Sequence, residues 1–484
     1  MDTTRRRPGI DWIHTALVQG NLVRDYVKWD DQPYSLAGVR ESLQRGYRVS
    51  MTEPKGPVYI CFDAGIQEQE VDETGFEAGT AVMTGVTVPP QIPGPALQEI
   101  ARLLVAAGNP VAVADQVGRQ SQAFDALIQL AELLSMPVIE PQKRVSSLNF
   151  PTAHGLNLSG LNAQVLQTAD LVLALEVEDL YGALHPGEGS QTSDRTILSP
   201  GAKIINIGLK EMQRNSWVQG YQRFQPADLS LSASVSQALP ALVGACRDLI
   251  EEKKEKIGNA EGWRLEKREQ LTGVHLSQRR AWLETAESHG QRPDITRAFL
   301  ALQVGEMLKD VDYVLANGSL KGWVQRLWEL KQPQQWLGGS GGAGLGYGLG
   351  AALGAALAYR GSDTVIVDLQ ADGDFLFTPS ALWTAAHYQL PVLIIMDNNR
   401  GYYNSVDHQN KVAAQRGRSL GKAAEGTLIQ DPAVDFAALA RSFGVYAEGP
   451  VTNPADLAPA LERVLQVVKV QKRPALLDVV TSAF

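Results

Sequence analysis

Between Ala371 and Asn399 the chain runs ADGDFLFTPSALWTAAHYQLPVLIIMDNN, an Asp-Gly pair followed at a set distance by an Asn pair. Its flanks confine the segment to one kind of fold. Thr364–Leu369 and Pro391–Met396 are short apolar, β-branched runs, and Ser380–Tyr388 between them carries apolar residues at helical spacing. Pro379 precedes it, at the kind of first-turn position that proline tolerates. Strand, helix and strand in that order predict a βαβ unit. Asp372 then falls just past the carboxyl end of one parallel strand, and Asn398 and Asn399 just past the end of the next. In open α/β sheets that edge is where ligands bind.

The spacing has a chemical logic. Asn399 stands 27 positions after Asp372, far in sequence but a neighbour along one sheet edge. A carboxylate and an amide oxygen, with a main-chain carbonyl nearby, form half a shell of hard oxygen ligands. Mg²⁺ takes about six such ligands and usually completes the set with phosphates and water. Gly373, at the helix entrance, lets the backbone approach a phosphate that the helix amino terminus also attracts. Taken separately, the two halves read as a surface Asp-Gly turn and an Asn-Asn loop.

Together, in this strand–helix–strand setting, they resemble the cofactor signature of thiamine-diphosphate enzymes: Gly-Asp-Gly, a gap of similar size, then Asn-Asn. The resemblance implies that Asp372 and the Asn399 side chain bind Mg²⁺, with the carbonyl of Gly401 as third protein ligand. It also implies that Gly373 and its neighbour Asp374 touch the diphosphate. Two positions depart from the pattern. Ala371 replaces the first glycine, which a methyl group allows where φ is negative. Asp374 stands where a small neutral residue is usual, and a diphosphate would repel its carboxylate unless the side chain turns away.

A second segment, Gly338–Gly354, reads GGSGGAGLGYGLGAALG, a glycine loop running into an Ala/Leu/Gly helix. It formally contains a dinucleotide fingerprint at Gly339, Gly341 and Gly344, but Gln334–Leu337 is a poor strand to precede one. It resembles more closely the loop of decarboxylating thiamine-diphosphate enzymes. On that reading Gly344 contacts the cofactor, and Leu345 is the apolar residue that props it in its bent form; a helix-start core residue is the alternative. Gly350 takes the family's usual proline position. Val314–Ser319 resembles the first strand and loop of the diphosphate-binding domain, where Asn317, Gly318 and Ser319 either reach phosphate oxygens or form a plain turn.

The resemblance extends along the chain and implies an α/β fold class: parallel-sheet three-layer domains of the thiamine-diphosphate enzyme type, two complete plus an N-terminal remnant. The expected divisions are residues 1–63 (remnant of the pyrimidine-binding domain), 90–250 (middle domain) and 290–484 (diphosphate-binding domain). In the middle region, Asn109–Val113, Met136–Ile139, Leu171–Leu175 and Lys203–Ile207 are strand-like. This domain holds FAD in some family members and nothing in others. Val111–Arg119 has no glycine loop to seat a dinucleotide phosphate, so FAD finds no support in the sequence. Asp248–Gln278 is a charged helical connector whose interleaved Glu residues argue against a nucleic-acid stripe. Gly444–Ala447 and Ala475–Val480 are the strands expected towards the C-terminus.

Trp12–Asp63 resembles only the last part of the pyrimidine-binding domain, with Val58–Phe62 as its strand. The family's catalytic glutamate comes from much earlier in that domain. Glu41 and Glu53 lie in the wrong part of the motif, so the catalytic residue is left unknown. Three arrangements accommodate this: Met1 is an internal methionine of a longer protein, the product is truncated, or another polypeptide supplies the missing part.

Bulk properties agree. A chain of 484 residues suits two complete α/β domains plus a fragment. A net charge of −9 argues against nucleic acid or an anionic membrane as the main partner. No apolar run is long enough to span a bilayer, the first residues lack a signal-peptide core, and Arg5–Arg7 alone is too little for a transit peptide. Cys61 and Cys246 are expected as free thiols in a reducing cytoplasm.

The function expected is that of a cytoplasmic enzyme binding thiamine diphosphate and Mg²⁺. It resembles acetolactate synthase large subunit and benzoylformate decarboxylase, acts on a small 2-oxo acid with or without carboligation, and forms a homodimer or homotetramer. Tyr402, Tyr403 and Asn404 are placed to line a substrate pocket or to pack the next turn. The alternative is a non-catalytic thiamine-diphosphate-binding protein. An NAD-dependent oxidoreductase is more distant, because Asp363 precedes its strand rather than following it.

Overall fold

The computed structural model describes residues 16, 18–71, 87–141, 148–185, 195–212, 223–257, 262–339, 344–422 and 424–482. Met1, Arg5–Arg7, Trp12 and Gly341 lie outside these residues. The strands are β1 (Trp29–Asp31), β2 (Val58–Ile60), β3 (Pro110–Ala114), β4 (Val138–Ile139), β5 (Leu171–Leu175) and β6 (Lys203–Gly208), then β7 (Leu229–Ser232), β8 (Tyr313–Asn317), β9 (Val365–Ala371), β10 (Val392–Asn398), β11 (Tyr446–Val451) and β12 (Ala475–Val480). They form two five-stranded sheets, ordered β4-β3-β5-β6-β7 and β11-β12-β10-β9-β8, and a two-stranded β1-β2 pair. Every pairing among them is parallel.

Parallel strands covered by helices on both faces read as continuous apolar runs, and β10 (VLIIMDN) is buried along its whole length. Alternation then sorts β9. Val365, Val367 and Leu369 join the core on one face, whereas Ile366 joins the core under helix Tyr347–Ala358 on the other. The same period of two puts Asp368 and Gln370 on that second face, both fully buried. Gly348 makes this close approach possible: a Cβ there would lie 2.3 Å from Asn317 Nδ2 and 2.4 Å from Gln370 Oε1.

Around β1 and β2, helix Leu36–Met51 starts at Ser35, whose side chain accepts the Gly38 N–H, and rests Gly46 against Ile60, Val58 and Trp29. The two larger sheets are tied together by Thr152. Its N–H donates to Leu330 O (3.0 Å), its hydroxyl donates to Trp328 O (2.6 Å), and it accepts the Leu330 N–H at 2.9 Å. The expected connector is two helices, Val235–Ile257 and Gly262–Ser288. Among the described residues no helix is long and apolar enough to cross a membrane.

Candidate functional site

The site forms at the carboxyl edge of the β8–β9–β10 strands. β9 and β10 pair in register from Val392 opposite Ile366 to Asp397 opposite Ala371, so their ends stop side by side. Asp372 begins a short helical turn directly after β9 and is 1% exposed. Its Oδ1 accepts the Gly373 N–H at 2.7 Å and its Oδ2 accepts the Gly401 N–H at 3.1 Å. The same Gly401 N–H lies 3.0 Å from Asn399 Oδ1. The three residues expected to ligate a metal are therefore brought together. Burial pushes the Asp372 carboxyl up to about 6; the Gly373 N–H holds it down and the Asp397 charge raises it further.

Ala371 has φ −75°, so its methyl group is accommodated as expected. At Gly373 the fold adds a packing constraint of its own. The Tyr402 ring covers it, so that a Cβ would lie 2.4 Å from the ring, and the Tyr402 hydroxyl donates to Gly373 O at 3.2 Å. Tyr402 thus packs on the Asp-Gly turn, Tyr403 is half-buried beside Gly401, and Asn404 is exposed.

On β8, the Asn317 side chain turns inward and donates to Asp368 Oδ1 at 2.9 Å. Burial pushes Asp368 up to about 7, against the Asn317 hydrogen bond. Gly318 follows with φ +88°, and a Cβ there would lie 2.2 Å from Leu369 O; only glycine turns the chain so close to β9. Ser319 continues the loop and its carbonyl accepts the Gly322 N–H at 2.9 Å.

Gly344 and Leu345 are exposed beside this edge, Leu345 at 53%. Gly350 lies exposed on the following helix with open space at its Cβ position. Asp374 turns away from the edge towards the glycine loop, where it accepts the Gly346 N–H at 2.7 Å.

Sequence reasoning missed the charges behind β10. Arg297, at the start of helix Arg297–Met307, meets Asp397 Oδ2 at 2.6 Å, and the Thr481 hydroxyl donates to Asp397 Oδ1. The charge next to the Asn pair was a visible signal; its partner, 100 positions upstream, was not.

The middle sheet offers a second crevice, between β3 and β5, where the strand order reverses. Asp115, Glu140 and Glu176 follow β3, β4 and β5, and burial pushes them up to about 7, 8 and 7. The Gly118 N–H is already donated to Asn149 Oδ1 at 3.1 Å. With carboxyl groups at the ends of three strands and the Gly118 N–H engaged, this edge offers the diphosphate of FAD no ready cradle, although Lys55, Arg119 and Lys210 line the same crevice. Glu53 closes over it and accepts a hydrogen bond from Gln120, while Glu41 is exposed on its helix. Both cysteines are free thiols, Cys246 buried and Cys61 half-buried.

Comparison with known proteins points to the same region of the chain. Residues 316–479 match the family model of the thiamine pyrophosphate enzyme C-terminal TPP binding domain. Acetolactate synthase 1, chloroplastic, of Nicotiana tabacum is 26% identical over 492 residues, covering 98% of this chain and 66% of the relative. The 3D-(3,5/4)-trihydroxycyclohexane-1,2-dione hydrolase of Bacillus licheniformis is 24% identical, covering 96% of this chain and 71% of the relative. The fold matches the thiamine diphosphate-dependent 4-hydroxybenzoylformate decarboxylase of Rhodococcus jostii RHA1 with a TM-score of 0.70 at 21% identity, over 99% of this chain and 81% of that one. Among the curated relatives compared, the chain spans between 56% and 71% of their length. Residues 316–479 therefore carry the thiamine pyrophosphate enzyme C-terminal TPP binding domain, and the chain as a whole is similar to thiamine-diphosphate-dependent enzymes.

Proposed function

We propose that the chain binds Mg²⁺–thiamine diphosphate at the β8–β9–β10 edge and acts in decarboxylation of a small 2-oxo acid, with or without carboligation, as the kinship with acetolactate synthase suggests. The observation that carries this reading is the convergence of Asp372 and Asn399 on the Gly401 amide. Two hard oxygens at a buried edge, one of them from a carboxylate, suit Mg²⁺. With Gly401 O they would hold the metal, and Gly318, Ser319 and Gly373 would lie against the diphosphate.

When bound, thiamine diphosphate supplies the carbanion stabilisation that decarboxylation needs. The chain's residues bind and orient it. The fixed register of β9 and β10 sets the separation of Asp372 and Asn399, Tyr402 covers the Asp-Gly turn, and Leu345 presents an apolar surface to the ring system. A homodimer or homotetramer in the cytoplasm completes the proposal.

The test is CO₂ release from pyruvate and from benzoylformate by the purified chain with Mg²⁺ and thiamine diphosphate. Release that disappears in Asp372→Ala supports the enzyme. Cofactor binding without release on either acid favours the second reading, a non-catalytic binding protein, which the engagement of Glu53 with Gln120 at the middle sheet makes worth testing.

A further inference from the structure

Asp374 has an environment that its place in the motif does not explain. Its Oδ1 accepts the Gly346 N–H at 2.7 Å, and its Oδ2 accepts the Gly348 N–H at 3.3 Å and Gln370 Nε2 at 2.7 Å. Gly346 precedes helix Tyr347–Ala358, so two otherwise orphaned N–H groups of that helix end on one carboxylate. A negative charge at a helix amino terminus is also favourable in itself. The other side of Gly346 is held as well: its carbonyl accepts the Thr378 hydroxyl at 3.1 Å. Its φ of +87° and the nearness of Phe377 and Thr378 to its Cβ position fix the turn further. Leu345 is the residue immediately before this clamp, with backbone pinned on one side and side chain exposed.

We propose that Asp374 is a positioning residue: it ties the glycine loop to the Asp-Gly turn, and so sets the height of Leu345 above the cofactor site instead of contacting the diphosphate. The inference rests on the thiamine-diphosphate reading and deepens it. The small neutral side chain usual at this place in the motif is too short to bridge Gly346, Gly348 and Gln370 together. This chain therefore uses the position for a different task. Asp374 also joins the loop to the sheet through Gln370, which leans on the same Gly348 as Asn317.

The experiment compares two ligands on the full chain by calorimetric titration: Mg²⁺–thiamine diphosphate, which needs both the anion site and the wedge, and Mg²⁺–pyrophosphate, which needs the anion site alone. Asp374→Ser should weaken thiamine diphosphate by about tenfold or more, as lost supporting hydrogen bonds do at such sites, and leave pyrophosphate within about twofold. Leu345→Ala should weaken thiamine diphosphate too, and the double variant should lose no more than Leu345→Ala alone, because one acts through the other. Retained pyrophosphate binding shows that the variants are folded. Equal weakening of both ligands would overturn the proposal by making Asp374 a diphosphate contact. Tightening of both would overturn it by making Asp374 a repelling charge, and no change in either would also overturn it. A wild-type chain that binds pyrophosphate but not thiamine diphosphate would sink the cofactor reading itself, a result distinct from each of these.

Discussion

Asp372 and Asn399 direct a side-chain oxygen each, at 3.1 and 3.0 Å, to the single N–H of Gly401. Neither residue is close to the other in sequence, and the parallel register of β9 and β10 is what brings them together. The arrangement leaves a buried carboxylate held by N–H donors that, among the described residues, forms no ion pair. Asp372→Asn should lower affinity for Mg²⁺–thiamine diphosphate by more than about a hundredfold, beyond what loss of a supporting residue costs. Apo stability should fall by about 1–3 kcal/mol at most, since the amide keeps one acceptor oxygen for the two N–H groups that the carboxylate accepts, while the cost of a buried charge is removed. Tryptophan fluorescence quenching on cofactor titration and a thermal melt check the two halves; unchanged affinity would remove Asp372 from the metal.

Gly318 cannot carry a side chain. A methyl group would sit 2.2 Å from Leu369 O on a backbone with φ +88°. The left-handed backbone costs about 1–2 kcal/mol and the overlap about 1–3 kcal/mol more. Gly318→Ala should therefore lose at least about 2 kcal/mol in urea denaturation. A loss below half of that would mean the loop relaxes easily and is no rigid part of the site.

The strands that stand buried on both faces were legible because their sequences are unbroken apolar runs. β5 and β12 fall at Leu171–Leu175 and Ala475–Val480, the bounds expected from sequence. β7 was not, because Leu229–Ser232 alternates leucine with serine at a sheet edge and offers only half an apolar signal. Of the candidate site, the meeting of Asp372 and Asn399 was legible since a strand–helix–strand unit fixes it, whereas Gly401 was named only through the family resemblance. The inward turn of Asn317 and the attachment of Asp374 to Gly346 were not. Each depends on contacts across the fold, to Asp368 at 51 positions and to Gly346 at 28, and neither distance has a sequence period.

The middle sheet should not hold a flavin. Asp115, Glu140 and Glu176 end three adjacent strands there, and a dinucleotide's diphosphate would meet carboxyl groups. Protein purified with excess FAD should release no flavin fluorescence on denaturation after gel filtration. Stoichiometric flavin would show that Arg119 and Lys210, which share the crevice with Glu176 and Glu178, outweigh the acids.

Glu140 gives a pH signature. It is 9% exposed, accepts the N–H groups of Asn149 and Phe150 at 3.2 and 3.1 Å, and burial pushes it from 4.5 up to about 8. The folded state therefore binds more protons than the unfolded state between those values, so this group's contribution to stability is full below about 4.5 and lost progressively towards about 8. Glu140→Gln keeps an acceptor oxygen and removes the titration. The variant's melting temperature should decline less than the wild type's across that window. Parallel profiles would mean that Glu140 is ionised throughout.

Arg297 and Asp397 meet at 2.6 Å with side chains only 8% and 10% exposed. Two charges so far from water are costly to bury, and their attraction together with the Thr481 hydroxyl offsets that cost. Removing one partner leaves the other buried and uncompensated, so Arg297→Met should destabilise by about 3–5 kcal/mol. Replacing both, as Arg297→Met with Asp397→Leu, should recover much of that loss, because no charge then stays unpaired. Asp397 is the residue before the Asn pair at the end of β10. The double variant should therefore regain stability yet bind Mg²⁺–thiamine diphosphate more weakly than the wild type, since Thr481 and Arg297 no longer hold that strand end in place. Recovery of stability and cofactor affinity together would make the ion pair dispensable to the site, and failure to recover stability would show that the pair contributes more than compensation of its own burial.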